Sequence, residues 1–261
     1  MSATHLVKKI PIFADMEEED LARLSSSLVR RKYLKGQVVF HKGDEGGSLH
    51  IIQTGRMKVV IPSPQGEEVI LAILTEGEIL GELSLIDGKP RSATVEALED
   101  SEVLSLRRED FLRFLASRFE AALRVMEVLS RRLRDTDALL AETHFLDVTS
   151  RLAKKIMDLG RLFGVKEKEG VRIGVRVTQK DLASMVGATR ESVNKQIRWL
   201  REQGVILFED GYLTILDPVR LARRARSEPA LFRDDMGRRG ASGPDLLEVH
   251  HKGGQGSRGH P

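Results

Sequence analysis

Hydrophobic and polar positions change their rhythm three times along the chain. Residues 15–29 read as a short helix: Leu21, Leu24 and Leu28 share one face, Asp15 can cap it, and Glu17 to Glu19 suit its positive end. From about Lys32 to Leu106 the apolar residues gather into short runs, QVVFHK, LHIIQ, MKVVI, EVILAIL, ATVEA and EVLSL. Turn signals separate them at Lys35-Gly36, Gly43-Asp44, Gly46-Gly47, Thr54-Gly55, Gln65-Gly66, Glu76-Gly77 and Asp87-Gly88. Strands at this spacing predict an antiparallel barrel or jelly roll, its core drawn from residues such as Val39, Ile51, Val59, Ile70 and Ile73.

Residues 109–144 contain no proline or glycine and read as helix. Met126, Leu129, Leu133, Thr136, Leu140 and Thr143 recur at alternating spacings of three and four, the a/d seam of a two-stranded coiled coil. The bland alternative is a helix lying on its own domain. The seam favours a homodimer, with the polar Thr136 either fixing register or touching a ligand. Phe145-Leu146-Asp147 reads as a hinge, with Asp147 capping a helix from Val148 to Leu159. Residues 160–175 read as a loop and a β-segment. From Ser227 onward the chain loses periodicity and is rich in Gly, Arg and Pro, which predicts a disordered tail.

The segment from Val177 to Gly204 carries a second signature. Thr178 and Asp181 form a capping-box pair, Gly187 supplies a turn, and Thr189 caps a second helix. Ala183, Gly187 and Val193 stand where a helix-turn-helix needs a small residue, a turn glycine and an apolar anchor. In the second helix Val193, Ile197 and Leu200 fall on one face, and Arg190, Glu191, Asn194, Lys195 and Arg198 on the other. An ordinary solvated face with a Glu191–Lys195 pair would look similar. "VILFEDGYLTILD" then reads as a β-hairpin wing around Asp210-Gly211, which favours DNA binding. Arg190 can donate to guanine O6 and N7, Glu191 can accept from cytosine N4, and Lys195 can reach a base or a phosphate. Thr178, Lys180 and Arg198 suit phosphates.

Composition narrows the chemistry. The 261 residues include 42 Lys+Arg and 39 Asp+Glu, a net charge of +3, so DNA binding must rest on local charge. The absence of cysteine removes disulfides, thiolate zinc and cysteine-held iron–sulfur clusters, and no clustered metal-ligand set points to a metal. No apolar run reaches membrane-spanning length and no signal-peptide core opens the chain, which predicts a cytoplasmic protein without membrane partners.

The stretch GELSLIDGKPRSATVEA, Gly81 to Ala97, places Glu82 and Arg91 inside a segment otherwise fit for a core. A structural ion pair is one reading, and catalysis is a weak one without supporting motifs, so the chain is expected not to be an enzyme. An anion site is the third. Gly81 lets backbone approach closely, the N–H groups opening the turn at Leu83 can point at a phosphate, and Arg91 and Ser92 add a guanidinium and a hydroxyl. Glu82 would repel phosphate and instead suits a sugar hydroxyl, so a nucleotide accounts for both.

With these residues in view, the chain resembles transcription regulators of the Crp/Fnr family over about residues 10–226. GELSLIDGKPRSATV resembles the phosphate-binding cassette of cyclic-nucleotide-binding domains. FLDVTSRLAKKIMDL and VGATRESVNKQI resemble the hinge and recognition helices of cyclic-AMP receptor proteins.

The resemblance implies an α+β fold. A cyclic-nucleotide-binding jelly-roll β-barrel sensor domain would span 1–117, a dimerisation helix and hinge 118–146, a winged helix-turn-helix DNA-binding domain 147–226 and a tail 227–261. It implies cyclic AMP as effector, with Glu82 on the ribose 2′-OH, Arg91 and Ser92 on the cyclic phosphate beside the backbone of Gly81 to Leu83, and Thr136 on the adenine. Arg190, Glu191 and Lys195 would read DNA, with Thr178, Lys180, Thr189 and Arg198 alongside, on a palindromic TGTGA-like operator whose half-sites lie roughly 34 Å apart. A homodimer and an RNA polymerase contact follow from the same resemblance. Asp137 departs from it, because cyclic-AMP receptors typically carry a small hydroxyl there. A carboxylate can accept from the adenine amino group and would be repelled by guanine O6, which favours cyclic AMP over cyclic GMP. Two Asp137 residues near a dimer axis would also repel each other. A regulator with another effector, or with constitutive DNA binding, and a cyclic-nucleotide-handling enzyme or regulatory subunit are the alternatives.

Overall fold

The computed structural model describes Phe13, residues 18–63 and residues 67–226. Asp15, the Gln65-Gly66 turn and the tail from Ser227 lie outside the described residues. A helix α1 (Glu18–Ser27) precedes eight strands: β1 (Val29–Tyr33), β2 (Val38–Phe40), β3 (Ser48–Thr54), β4 (Met57–Pro62), β5 (Glu68–Leu74), β6 (Ile79–Leu80), β7 (Thr94–Ala97) and β8 (Ser101–Arg107). A short helix α2 (Glu82–Asp87) interrupts them. The strands form two antiparallel sheets, ordered β1-β8-β3-β6 and β2-β7-β4-β5. That order is a jelly roll, as the strand spacing predicts.

Between the sheets lie Ile52, Met57, Leu80, Val95 and Val103, with Val39 and Val59 packed against them. The first sheet is buried on its other face too. There Leu49, Ile51, Leu104 and Leu106 meet Phe13, Leu24 and the helices that follow. Those helices correct one expectation. The glycine-free stretch is not continuous but breaks at Arg118, whose backbone is extended (φ −139°, ψ 105°). α3 (Arg108–Ser117) buries Phe111 and Phe114, and α4 (Phe119–Phe145) buries Ala121 and Val125. Packing two apolar faces on one sheet requires a change of direction that local composition does not mark.

A second correction concerns Ile70 and Ile73. The β4–β5 pairing slips between Val59 and Val60, so that Val59 faces Ala72 while Val60 faces Ile70. Leu71 is the extra residue of this bulge. Because side chains alternate across a strand, the slip turns Ile70 to the outer face. Ile70 therefore joins Val60 and Ile73, which lie on that outer face by simple alternation, in packing with the C-terminal core and not inside the sandwich.

The C-terminal part begins with α5 (Val148–Phe163), four residues longer than the spacing predicts, followed by a hairpin of β9 (Gly164–Glu167) and β10 (Gly170–Ile173). α6 (Gln179–Val186) and α7 (Arg190–Glu202) form the helix pair, and β11 (Ile206–Glu209) and β12 (Tyr212–Ile215) the wing. α8 (Pro218–Arg224) packs on α5. The four strands form one sheet ordered β11-β12-β10-β9. Among the described residues no helix is long and apolar enough to cross a membrane.

Candidate nucleotide pocket and nucleic-acid interface

Gly81 precedes α2 in the left-handed region (φ 84°), where a side chain is strained. A Cβ there would also come within 2.2 Å of Arg91 Nη1. This glycine lets the chain turn tightly and leaves room for the guanidinium. Glu82 follows on the buried side of α2 and is 1% exposed; Arg91, after the α2–β7 turn, is 4% exposed. Leu83 and Ser92 face outward.

Glu82 and Arg91 do not pair with each other. Arg91 donates through Nη1 to Gly81 O and through Nη2 to Ser48 O, both at 2.7 Å, and lies 4.2 Å over the Phe40 ring. Burial lowers the pKa of its guanidinium from the usual value, and the nearby Glu82 and Asp44 charges oppose that shift. Glu82 instead receives Arg132, whose Nη1 donates to Oε1 while Nη2 donates to Ile79 O, each at 2.5 Å. Arg132 comes from α4, so the seam helix reaches directly into the cassette. Sequence reasoning missed this residue. Its signal was position: it lies one turn before Thr136 on the same helix face.

Two buried polar atoms here have no hydrogen-bond partner, Glu82 Oε2 and Arg91 Nε. An orphaned buried carboxylate oxygen costs about 1–3 kcal/mol or more, and such sites call for an explanation. An acceptor suited to a hydroxyl stands beside a cation suited to a phosphate, so the residues fit a nucleotide. Thr136 and Asp137 are exposed, and Thr136 Oγ1 donates back to Arg132 O at 2.9 Å. Within one chain they lie about one turn along α4 from the Arg132–Glu82 pair, on the exposed side of the helix.

The other predicted residues gather on the C-terminal part. Thr178 Oγ1 accepts from Asp181 N at 3.1 Å and Asp181 Oδ2 accepts from Thr178 N at 2.8 Å, completing the capping box. Thr189 Oγ1 accepts from Ser192 N at 3.2 Å. Gly187 makes the turn at φ 59°, and Val193, Ile197 and Leu200 are buried. Arg190, Glu191, Lys195 and Arg198 are exposed together along α7. Asn194, expected on that face, is half-buried instead, with its Oδ1 turned inward. The wing turns at Asp210 (φ 50°) and Gly211 (φ 82°), the left-handed pair that a tight hairpin requires. Lys180, on α6, lies 3.8 Å from Glu68 of β5.

Hinge contacts join the two regions. Asp147 Oδ1 accepts from Ser150 N at 2.8 Å and caps α5. Arg151, buried, donates to Thr143 O at 3.1 Å, Leu146 O at 3.4 Å and Gly187 O at 3.4 Å. One guanidinium thus links the end of α4 to the turn of the helix pair.

Residues 30–118 match the cyclic nucleotide-binding domain family, and residues 150–224 match the Crp-like helix-turn-helix domain family. The chain is 34% identical over 221 residues to the CRP-like cAMP-activated global transcriptional regulator of Mycobacterium tuberculosis, covering 85% of this chain and 99% of that protein. It is 31% identical over 209 residues to the cyclic AMP receptor protein of Thermus thermophilus, covering 80% and 94%. Among solved structures, a CRP-family transcriptional regulator of Thermus thermophilus matches with a TM-score of 0.66 and 26% identity, covering 76% of this chain and 97% of that one. The c-di-GMP-responsive global regulator of Xanthomonas campestris shares the fold, with a TM-score of 0.67 at 24% identity over 76% and 99% of the two chains. These relatives are regulators and not enzymes, and the chain belongs to the Crp/Fnr family of transcription regulators, with a cyclic nucleotide-binding domain and a DNA-binding helix-turn-helix.

Proposed function

We propose that this chain is a cyclic-AMP-responsive regulator that binds, as a homodimer, a two-fold TGTGA-like operator and there meets RNA polymerase. The observation that carries the effector is the pair of orphaned buried atoms, Glu82 Oε2 and Arg91 Nε, beside the Arg132 guanidinium that the seam helix brings to Glu82. Glu82 accepts a ribose hydroxyl, and Arg91 with Ser92 binds the cyclic phosphate beside Gly81 and Leu83. Arg132 holds Glu82 from α4, so a change at the cassette is felt on the helix that carries Thr136 and Asp137. Arg151 passes a shift at the end of α4 to the turn before α7. There Arg190, Glu191 and Lys195 read base edges, while Thr178, Lys180, Thr189 and Arg198 hold the backbone. Cyclic AMP supplies differential affinity: it must bind the DNA-competent arrangement more tightly than the other, because equal affinity shifts nothing.

Calorimetric titration with cyclic AMP tests the reading. Wild-type protein saturates near one site per chain, and Arg91→Ala loses at least about tenfold in affinity with unchanged far-UV dichroism. Undiminished binding by Arg91→Ala removes the phosphate role. A second reading rests on Asp137, which stands where cyclic-AMP receptors typically carry a small hydroxyl: the pocket takes another effector, or DNA binding is constitutive. Equal operator affinity with and without cyclic AMP selects it.

A further inference from the structure

The outer face of the β4–β5 hairpin is an apolar patch with charged flanks, and it is covered. Val60 and Ile70 are 1% and 4% exposed although they point away from the sandwich interior. They belong to one apolar cluster with Leu182, Ala183 and Val186 of α6, and α6 lies against β5. Beside the patch Glu68 lies 3.8 Å from Lys180 of α6 and 3.9 Å from Lys58, and Lys58 in turn lies 3.1 Å from Glu96. At the other end Arg56 donates to Gly174 O at 3.2 Å, pairs with Glu99 at 3.3 Å and stacks 5.5 Å over Phe163. Apolar and ionic contacts thus hold α6 against the β4–β5 strand pair, while Arg56, just before β4, holds the end of α5 and the residue after β10.

We infer that the outer face of the β4–β5 hairpin is an intramolecular competitor of DNA, holding α6 through its apolar patch while Glu68 occupies Lys180 in place of a phosphate. The inference rests on the reading of the chain as an operator-binding protein. Lys180 cannot serve a carboxylate and a DNA phosphate at once, and both recognise the same point charge. The ion pair is half-exposed and exchanges readily for a phosphate. The apolar patch gives the contact its hold, and Arg56 fixes its orientation. Operator binding then requires the hairpin to let go of α6.

The full-length protein tests this by operator affinity without nucleotide, read by fluorescence anisotropy. Glu68→Gln, alone and with Arg56→Ala, raises that affinity roughly three- to tenfold, and affinity at saturating nucleotide stays within about twofold of wild type. Removing any carboxylate favours DNA somewhat, so Glu67→Gln, one residue away, is the control. An unchanged nucleotide-free affinity, or an equal gain from Glu67→Gln, overturns the competitor. If wild type ignores cyclic AMP while Glu68→Gln still gains, the competitor stands and the proposed effector falls. If neither protein binds the operator, hydrogen exchange decides. Faster exchange of α6 amides in the double variant keeps the contact, and equal exchange removes it.

Discussion

His50 shows how one side chain sets conditions for its neighbours. Its Nδ1 lies 2.8 Å from Ser105 Oγ, its Nε2 3.1 Å from Ser48 Oγ, and its ring 5.8 Å from that of Phe40, over which Arg91 stacks. Burial first, then the charges of Arg91 and Arg31, lower its pKa to about 4, so it is neutral at pH 7. A neutral His50 spares Arg91 a second cation nearby. The unfolded chain, with a pKa of about 6.5, binds this proton more readily than the folded one. Stability from His50 is therefore full above about pH 6.5 and is lost as pH falls towards 4. Urea unfolding should show about 2 kcal/mol lost between pH 7 and pH 5 from this residue alone. His50→Gln should reduce that slope by this amount; an unchanged slope assigns the loss to other groups. At this scale Glu82 and Arg91 are legible in sequence, because charges in a core-like stretch stand out. Arg132 is marked only by its place one turn before Thr136, since it sits in the run Arg131-Arg132-Leu133-Arg134 where every cation suits a solvated helix.

Elements whose ends carry their own chemistry are the ones composition reveals. The capping box Thr178–Asp181, the Thr189 cap, the Asp147 cap and the Asp210-Gly211 wing turn all form as residue type and spacing require. The Asp147 carboxyl is held below its ordinary pKa, first by the Ser150 backbone N–H. Asp147→Ala should cost about 1 kcal/mol of stability, the usual worth of a cap, and Asp147→Asn should recover most of it. Chemical denaturation of the three proteins checks this, and equal midpoints would mean that α5 is fixed by packing alone. What stays hidden is set by distant partners. Nothing local marks the break at Arg118, where Phe114 and Val125 meet the same sheet face, or the two-residue strand Ile79–Leu80. The Leu71 bulge is equally silent, because EVILAIL is apolar at nearly every position and either register reads as core. Its effect is large, since it turns Ile70 from the sandwich to the helix-turn-helix.

For the whole molecule the decisive surface is the seam of α4. Leu129, near its start, packs against the sensor core, but Met126, Leu133 and Leu140 are 48%, 63% and 67% exposed. Thr136 and Thr143, the polar seam members, bond back to Arg132 O and Leu139 O at 2.9 and 2.8 Å. Their hydroxyls are thus already satisfied, and an apolar neighbour can cover them at small cost. A second copy of the helix fits such a stripe, and it would bring two pockets and two helix pairs under one axis. Operator affinity then depends on both half-sites being held together. Leu133→Glu puts a carboxylate at the centre of the seam, where burial without a partner is costly. Its side chain is exposed within one chain, so the fold of each chain should survive. Sedimentation equilibrium should show chains of 29.2 kDa in place of a species twice that mass. Affinity for a two-fold operator should fall roughly hundredfold or more, the loss expected when two linked binding events become independent. A Leu133→Glu protein that remains dimeric and keeps its operator affinity would move the interface off this seam.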